Sequence, residues 1–153
     1  MKPHAAAASA LAVLFLLIAA SVGAATLTKA HHALSSYGFP AGLLPSSVRS
    51  YTINSTTDVF SVDLGSTCKI TLPPDNYLAT YSKVITGKIV DGKIADLDGI
   101  KVRALFRNWA ITGIRASDDD LVFEVGMVTA KYPKKSFVEA PYCEGSKPAA
   151  AEI

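Results

Sequence analysis

Residues 77–115 have the sequence YLATYSKVITGKIVDGKIADLDGIKVRALFRNWAITGIR, and they indicate most clearly how this chain folds. The part up to Val90 is rich in β-branched and aromatic side chains, which favour strands. Gly87, near its end, is typical of a bulge or bend within a strand. The pair Asp91-Gly92 then gives the strongest hairpin-turn signal in the chain. This segment therefore predicts antiparallel strands joined by short turns.

Further strands are predicted on both sides of this hairpin, because large apolar residues alternate there with polar ones. After the hairpin we expect a second turn at residues 96–99, a long strand at 100–115 and a last strand at 121–130. Before it, the runs with the same period of two are residues 50–54, 59–64 and 68–72. The expected count is six to eight strands with short connections.

One short helix is predicted ahead of the strands, at residues 28–37, and Gly38 is a natural stop signal for it. The next segment, 39–45, combines turn formers with large apolar residues, so we expect it to fold back onto the core. Strands and helices do not alternate along the sequence, so a parallel sheet is not expected. The expected fold is all-β, β-rich with one short N-terminal helix: an antiparallel barrel-like or strongly curled sheet in a single domain.

The first 25 residues have the pattern of a cleavable signal peptide. Lys2 precedes an apolar run at residues 5–20, and small side chains follow that run. The same run approaches the length of a membrane span, so a retained anchor is the alternative. We expect cleavage, and hence a secreted, extracellular protein with its domain at residues 26–143 and a disordered tail at 144–153. No later segment is long enough to predict a transmembrane span.

Two covalent modifications are expected in an oxidising secretory compartment. Cys68 and Cys143 are the two cysteines of the chain, and a disulfide between them is the default prediction. The alternative is two unpaired thiols that lie too far apart to bridge. Asn54 begins the acceptor triplet Asn-Ser-Thr between two predicted strands, so N-glycosylation of Asn54 is also expected.

Charge and motif content argue against several classes of protein. The chain has 15 Lys and Arg against 13 Asp and Glu, and loss of Lys2 with the leader leaves a formal charge of +1, unlike a nucleic-acid binder. Serine-hydrolase, metalloprotease, EF-hand, Walker and dinucleotide motifs are all missing from the sequence. We therefore expect no cofactor and no metal, and we interpret the acidic run at 118–120 as a turn rather than calcium ligands. His31 and His32 are assigned to a solvated helix surface.

Two motifs resemble those of a plant family, the domain of unknown function 538. The motifs are YGFPAGLLP at residues 37–45 and FVEAPYC at residues 137–143, and the likeness extends over residues 30–143. This resemblance implies a plant protein, often with a secretory leader, and an all-β barrel-like domain. Members are compared with lipid-binding barrels and are proposed as ester hydrolases, but no catalytic residue carries over. The expected location is therefore the apoplast or cell wall.

A basic stripe is the most suggestive surface feature in the sequence. Lys101, Arg103 and Arg107 are predicted to share one face of the strand at 100–115. Such a stripe could meet anionic lipid headgroups or an acidic wall polysaccharide, or it could be an ordinary solvated face. Trp109, at the end of the stripe, could stack on a sugar or lie in the core.

The expected function is non-enzymatic binding of an apolar or amphipathic, lipid-like ligand by a monomer. Leu43 and Leu44 are candidate ligand contacts, because the segment 39–45 could cover an apolar cavity, although it could equally plug one end of the sheet. One alternative is an ester hydrolase for cell-wall or lipid-like substrates, with a site assembled from scattered residues. The other is a protein-interaction domain that binds through residues 42–45.

Overall fold

One antiparallel sheet forms most of the computed structural model, which describes residues 27–72 and 75–145. Helix α1 (Lys29–Ser36) and a 3-10 helix, η1 (Ala41–Leu43), precede the sheet, and a second 3-10 helix, η2 (Lys134–Phe137), follows it. The strands are β1 (Ser50–Ile53), β2 (Val59–Asp63), β3 (Cys68–Leu72), β4 (Tyr77–Val90), β5 (Lys93–Ala104), β6 (Arg107–Ser117), β7 (Asp120–Val125) and β8 (Val128–Pro133). The predicted all-β class with one short N-terminal helix is confirmed.

The predicted leader and all but the first two residues of the predicted tail lie outside the described residues. Within the part of the chain that the structure describes, no helix has the length and apolar character needed to cross a membrane.

The sheet is strongly curled but not closed. Its strand order is β1-β2-β4-β5-β6-β7-β8, and β3 also pairs with β4. The first part of β4 pairs with β3 up to Tyr81, and a later part pairs with β2 from Val84 to Lys88, so two short strands share one side of a long one. Among the described strands, β1 and β8 lie at the two ends of the order and do not pair with each other. Of the two expected architectures, the curled sheet is the correct one.

Bends within β4 and β5 contribute to the curl. The pairing register of these strands shifts between Thr86 and Lys88, which confirms the irregularity predicted at Gly87. The turn predicted at residues 96–99 is wrong, because β5 continues through it. Asp96 and Gly99 do have the positive φ typical of turns, 50° and 114°, but here they accompany a register shift and bend the strand without reversing it.

Two hairpin turns interrupt runs predicted as single strands. Leu105 and Phe106 form a two-residue turn between β5 and β6, so the strand predicted at 100–115 is wrong at its centre. Gly126 and Met127 separate β7 from β8, and the last predicted strand is therefore two strands. Both turns escape prediction because residues that favour strands flank them and neither contains Asn-Gly or Asp-Gly.

Helix α1 and the segment after it cover part of the concave face of the sheet. Leu34, Phe39, Leu43 and Leu44 are buried there, which confirms that this segment folds back onto the core. Full burial of each such side chain contributes about 1.5–3 kcal/mol to stability. The side chains of the sheet in the same core cluster include Ile85, Ile89, Ile94, Ile100 and Ile114.

A disulfide connects β3 to the C-terminal segment. Cys68 and Cys143 form this bond, which confirms the predicted pairing. Beside it, the backbone N–H of Glu144 donates to the carbonyl oxygen of Lys69 at 2.8 Å. The first residue of the predicted tail is therefore hydrogen-bonded to the sheet.

Candidate functional site

Part of the concave face that α1 leaves uncovered forms an open groove. Its volume is about 340 Å³, which lies at the lower end of the range for small-molecule sites. Strands β4 to β8 and η2 all contribute lining residues, and almost all of the lining surface is apolar. Examples of the lining residues are Val102, Ala104, Trp109, Val125, Ala130 and Phe137.

The strand register explains why these side chains converge on one groove. Val102 lies opposite Trp109 across the β5–β6 pair, and Ile111 lies opposite Val125 across the β6–β7 pair. Directly opposed residues share a face of the sheet, and so do residues two apart on one strand, such as Trp109 and Ile111. Alternation along three neighbouring strands therefore presents one continuous apolar surface.

Aromatic rings form one wall of the groove. The ring centre of Phe123 lies 5.6 Å from that of Phe137 and 6.0 Å from that of Tyr132. The Tyr132 hydroxyl donates to Oδ2 of Asp75 at 2.8 Å. Burial, together with this hydrogen bond, raises the pKa of Tyr132 to about 12, so the phenol stays neutral at physiological pH. A polar group is thus held in a fixed position beside the apolar wall.

Trp109 and Arg107 form a cationic rim beside the groove. The Trp109 Nε1–H donates to the carbonyl oxygen of Ala104 at 3.0 Å, which fixes the orientation of the indole. The guanidinium carbon of Arg107 lies 4.8 Å from the centre of the Trp109 ring, within cation–π distance. Arg107 remains exposed. The arrangement places a positive charge beside the Trp109 ring, which lines the groove.

The predicted basic stripe is not a single surface. Arg107 lies opposite Ala104 across the β5–β6 pair and shares the face of Trp109. Lys101 and Arg103 lie on the other, outer face, where both are exposed. The prediction of one shared face is wrong because the two-residue turn reverses the chain and restarts the alternation of side chains.

Comparison with known proteins gives the family. A family model described as "Protein of unknown function, DUF538" matches residues 30–138, which include the whole sheet. The chain belongs to the DUF538 family. An Arabidopsis thaliana relative named "Uncharacterized protein At5g01610" is 26% identical over 95 residues, which cover 61% of this chain and 54% of that relative. The chain thus spans about half the length of this curated relative. No solved structure gives a significant match.

The Gly-Leu-Leu-Pro element that resembles DUF538 members packs inside the fold. A Cβ atom on Gly42 would overlap the carbonyl group of Phe137, so glycine permits η1 and η2 to touch. Leu43 and Leu44 are 6% and 9% exposed and line a separate apolar cavity of about 60 Å³ beneath α1. These two predicted ligand contacts therefore do not lie in the same cavity as Trp109.

His31 is a buried polar residue of this DUF538 domain that sequence reasoning placed wrongly. Its side chain has no exposed surface, whereas His32 is exposed. The Thr28 backbone N–H donates to Nδ1 at 3.0 Å, so Nε2 carries the proton and donates to the Pro45 carbonyl oxygen at 3.0 Å. Burial lowers the pKa of His31. The capping-box spacing of Thr28 and His31 is the sequence signal that could have identified this role.

Asn54 lies in the exposed turn between β1 and β2, where the sequence places it. Its Oδ1 accepts hydrogen bonds from the backbone N–H groups of Thr56 at 2.9 Å and Thr57 at 3.2 Å. Glycosylation of this side chain stays a prediction.

Groups suited to catalysis or to metal binding are scattered. Within residues 27–72 and 75–145, no three His, Cys, Asp or Glu side chains are grouped closely enough to hold a metal ion. Glu124 lies against Gly113 at the irregular β6–β7 pairing, whereas His31 and His32 belong to α1, outside the sheet. The groove is therefore the strongest candidate for a functional site.

Proposed function

We propose that this protein is a secreted, non-enzymatic binding protein that holds an amphipathic, lipid-like ligand in the groove. The observation that carries the proposal is an apolar cavity of about 340 Å³ with the Arg107–Trp109 pair beside it. In this arrangement the hydrocarbon part of the ligand lies against the apolar walls. Its acidic head group meets Arg107.

The composition of the groove favours a hydrocarbon over a sugar. Burial of apolar ligand surface contributes roughly 25 cal/mol per Å², and the groove walls offer mostly such surface. A polysaccharide requires many hydrogen-bonding groups, and the Tyr132 hydroxyl is already bonded to Asp75. An acidic wall polysaccharide would have to use the exposed Lys101 and Arg103, which lie on the outer face and do not line the groove.

The disulfide supports the secreted location. Disulfides form and persist in oxidising compartments and are rare in the cytosol. Cys68 and Cys143 are joined, and they are the only cysteines in the sequence. This pairing agrees with the signal-peptide pattern of the first 25 residues.

Two alternatives have less support. An ester hydrolase needs a base with a free nitrogen or carboxylate beside a nucleophile. Both ring nitrogens of His31 are already hydrogen-bonded to backbone groups, Nδ1 to the Thr28 N–H and Nε2 to the Pro45 carbonyl oxygen. A protein-interaction site at residues 42–45 needs exposed side chains there. Leu43 and Leu44 are buried, so that segment presents little surface to a partner.

A displacement assay without membranes tests the proposal. The fluorescent cis-parinaric acid serves as probe, and oleic acid and oleyl alcohol serve as competitors of equal chain length. We expect saturable binding, with oleic acid competing better than the alcohol. Arg107→Gln should weaken the binding of oleic acid about tenfold and leave the binding of oleyl alcohol unchanged, because the charge-assisted contact is lost.

A matched pair of substitutions locates the ligand. Ala130 lines the groove, whereas Ala110 is exposed on the outer face of β6. Ala130→Phe should fill the groove and abolish binding, and Ala110→Phe should leave it intact. An absence of probe binding, or equal binding by both variants, would contradict the proposal.

A further inference from the structure

The two hairpin turns beside the groove expose large apolar side chains. Leu105 and Phe106 lie in the first of these turns, and Met127 and Val128 lie in or next to the second. Leu105 and Val128 also line the edge of the groove. The exposed fractions of the four side chains are 80% for Leu105, 94% for Phe106, 104% for Met127 and 61% for Val128. We call these two pairs, Leu105–Phe106 and Met127–Val128, the apolar tips.

We propose that the apolar tips insert into the surface of an anionic lipid membrane. Exposed apolar side chains on this scale are typical of an interaction site. The proposal goes beyond ligand binding in the groove and does not require it.

Backbone strain at the first tip indicates that its side chains matter. Leu105 and Phe106 have φ values of 52° and 65°. Positive φ at both central residues is the type I′ pattern, which strongly favours Asn-Gly. Bulky residues rarely adopt it, and such strain is concentrated at functional sites. The fold alone would be better served by other residues at this turn.

The two tips project from the same end of the sheet. Ile111 is the first residue of β6 that pairs with β7, and β6 begins four residues earlier, at Arg107. The β5–β6 hairpin therefore extends about 13 Å beyond the end of β7. A Cβ atom on Gly126, next to the second tip, would lie 3.9 Å from the Trp109 ring. Insertion that reaches both tips would bring Trp109, which lies beside the second tip, to the membrane interface, where tryptophan is favoured.

Cations flank the first tip on both faces of its hairpin. Residues 100–111 contain Lys101, Arg103 and Arg107 and no Asp or Glu. Arg103 lies on the outer face, and Arg107 lies on the face of the groove. A membrane that receives the tip thus meets positive charge on either side of it, which favours anionic headgroups.

The far end of the sheet carries both acidic and basic residues. Asp91, Asp118 and Asp119 lie in the turns opposite the tips. At the near end, Asp75 accepts a hydrogen bond from Tyr132, and Glu124 lies against Gly113. Lys93, Arg115 and Lys134 accompany these aspartates at the far end, whereas the three cations within residues 100–111 have no acidic residue among them.

A membrane fits the tips better than a protein partner. A stable protein interface buries roughly 800 Å² on each side with a continuous core. The tips instead offer four side chains on two projecting turns, which match the depth of an interfacial anchor. A second copy of this chain is the competing occupant, and the experiment separates the two.

Trp109 is the single tryptophan of the chain and reports directly on this region. The full chain is mixed with vesicles of phosphatidylcholine and phosphatidylglycerol, and separately with phosphatidylcholine alone. We expect a blue shift of Trp109 emission with the anionic vesicles, quenching by brominated acyl chains, and weakening of both at high salt. Because the signal arises at Trp109, binding through the apolar run at residues 5–20 does not imitate it.

The decisive variant replaces the first tip by the preferred turn residues. L105N/F106G should remain folded and lose at least about tenfold in vesicle affinity, because two apolar side chains leave the interface. V84S/V90S is the matched control, since Val84 and Val90 are exposed on β4 away from the tips. It should bind vesicles as the unaltered chain does.

Three results would overturn the proposal. The first is an unaltered chain whose Trp109 is not quenched by brominated lipid, and the second is L105N/F106G bound as tightly as the unaltered chain. The third is self-association without lipid that L105N/F106G abolishes, which would assign the tips to a second copy. Equal binding to both kinds of vesicle would overturn the preference for anionic lipid. The parinaric acid assay contains no vesicles, so failure of the groove proposal is seen separately.

Discussion

The Nε2 atom of His31 lies 3.0 Å from the carbonyl oxygen of Pro45, so a fully buried histidine joins α1 to the segment that crosses the core. The other nitrogen, Nδ1, accepts from the backbone N–H of Thr28 at 3.0 Å. The Thr28 hydroxyl also lies 2.9 Å from Nδ1, and burial of the ring disfavours its charged form. Burial therefore lowers the pKa of His31 below its ordinary value of 6.5.

Folding stability should therefore depend on the protonation of His31. Below pH 6.5 the unfolded chain binds a proton that the folded chain resists, so the free energy of unfolding falls as the pH drops. Above pH 6.5 this contribution is fully present. Urea unfolding between about pH 5 and 8 measures the slope. His31→Gln should flatten it, whereas His32→Gln, which changes an exposed neighbour, should retain it; equal slopes for the two variants would refute the assignment.

Loss of the disulfide should lower stability substantially. The bond joins residues 75 apart, and on the chain-entropy model its removal costs about 4 kcal/mol. Urea unfolding of C68S/C143S, and of the unaltered chain with and without reductant, checks this value. Reductant should have no effect on the double variant, and an unchanged midpoint on reduction of the unaltered chain would contradict the prediction.

Gly42→Val should destabilise the fold, since added side-chain atoms would force η1 away from the Phe137 carbonyl. Overpacking of this kind costs about 1–3 kcal/mol. Ala110→Val adds comparable bulk at an exposed site on β6 and should change the free energy of unfolding little. Thermal and urea unfolding of the two variants give the comparison; similar midpoints would show that the contact at Gly42 is not tight.

Replacing Leu105-Phe106 by Asn-Gly should stabilise the protein. Both positions have positive φ, and relief of this strain in two bulky residues amounts to roughly 1–2 kcal/mol. The same L105N/F106G variant loses vesicle affinity under the membrane proposal, so stability and binding should change in opposite directions. A lower free energy of unfolding for this variant would mean that Leu105 or Phe106 contributes packing that their exposure conceals.

Local alternation was enough to predict much of the sheet. Strands β1, β2 and β3 and the irregularity at Gly87 all follow from period two and ordinary strand signals. The turn at Leu105 was not predictable, because no glycine, asparagine or proline marks it. That missed turn also misplaced Arg107, whose face depends on where the chain reverses.

Other features depend on contacts distant in sequence. The burial of His31 requires Pro45, fourteen residues later, to lie over the helix. The turn expected at residues 96–99 became a bend because β5 pairs with both β4 and β6 before and after these residues. The groove arises only when the curl of the sheet brings β4 to β8 around a common space.

The unpaired ends of the sheet have a consequence for selectivity. In a closed barrel, the number of strands and their stagger fix the diameter. Here β1 and β8 do not pair with each other, so the strands that the structure describes form no closed ring of hydrogen bonds that would fix the width of the sheet. Small changes of twist can widen or narrow the space between β4 and β8 while every ladder remains intact. If the groove binds a lipid-like ligand as proposed, it should accept hydrocarbon chains of differing thickness and branching, and its selectivity should depend on the head group.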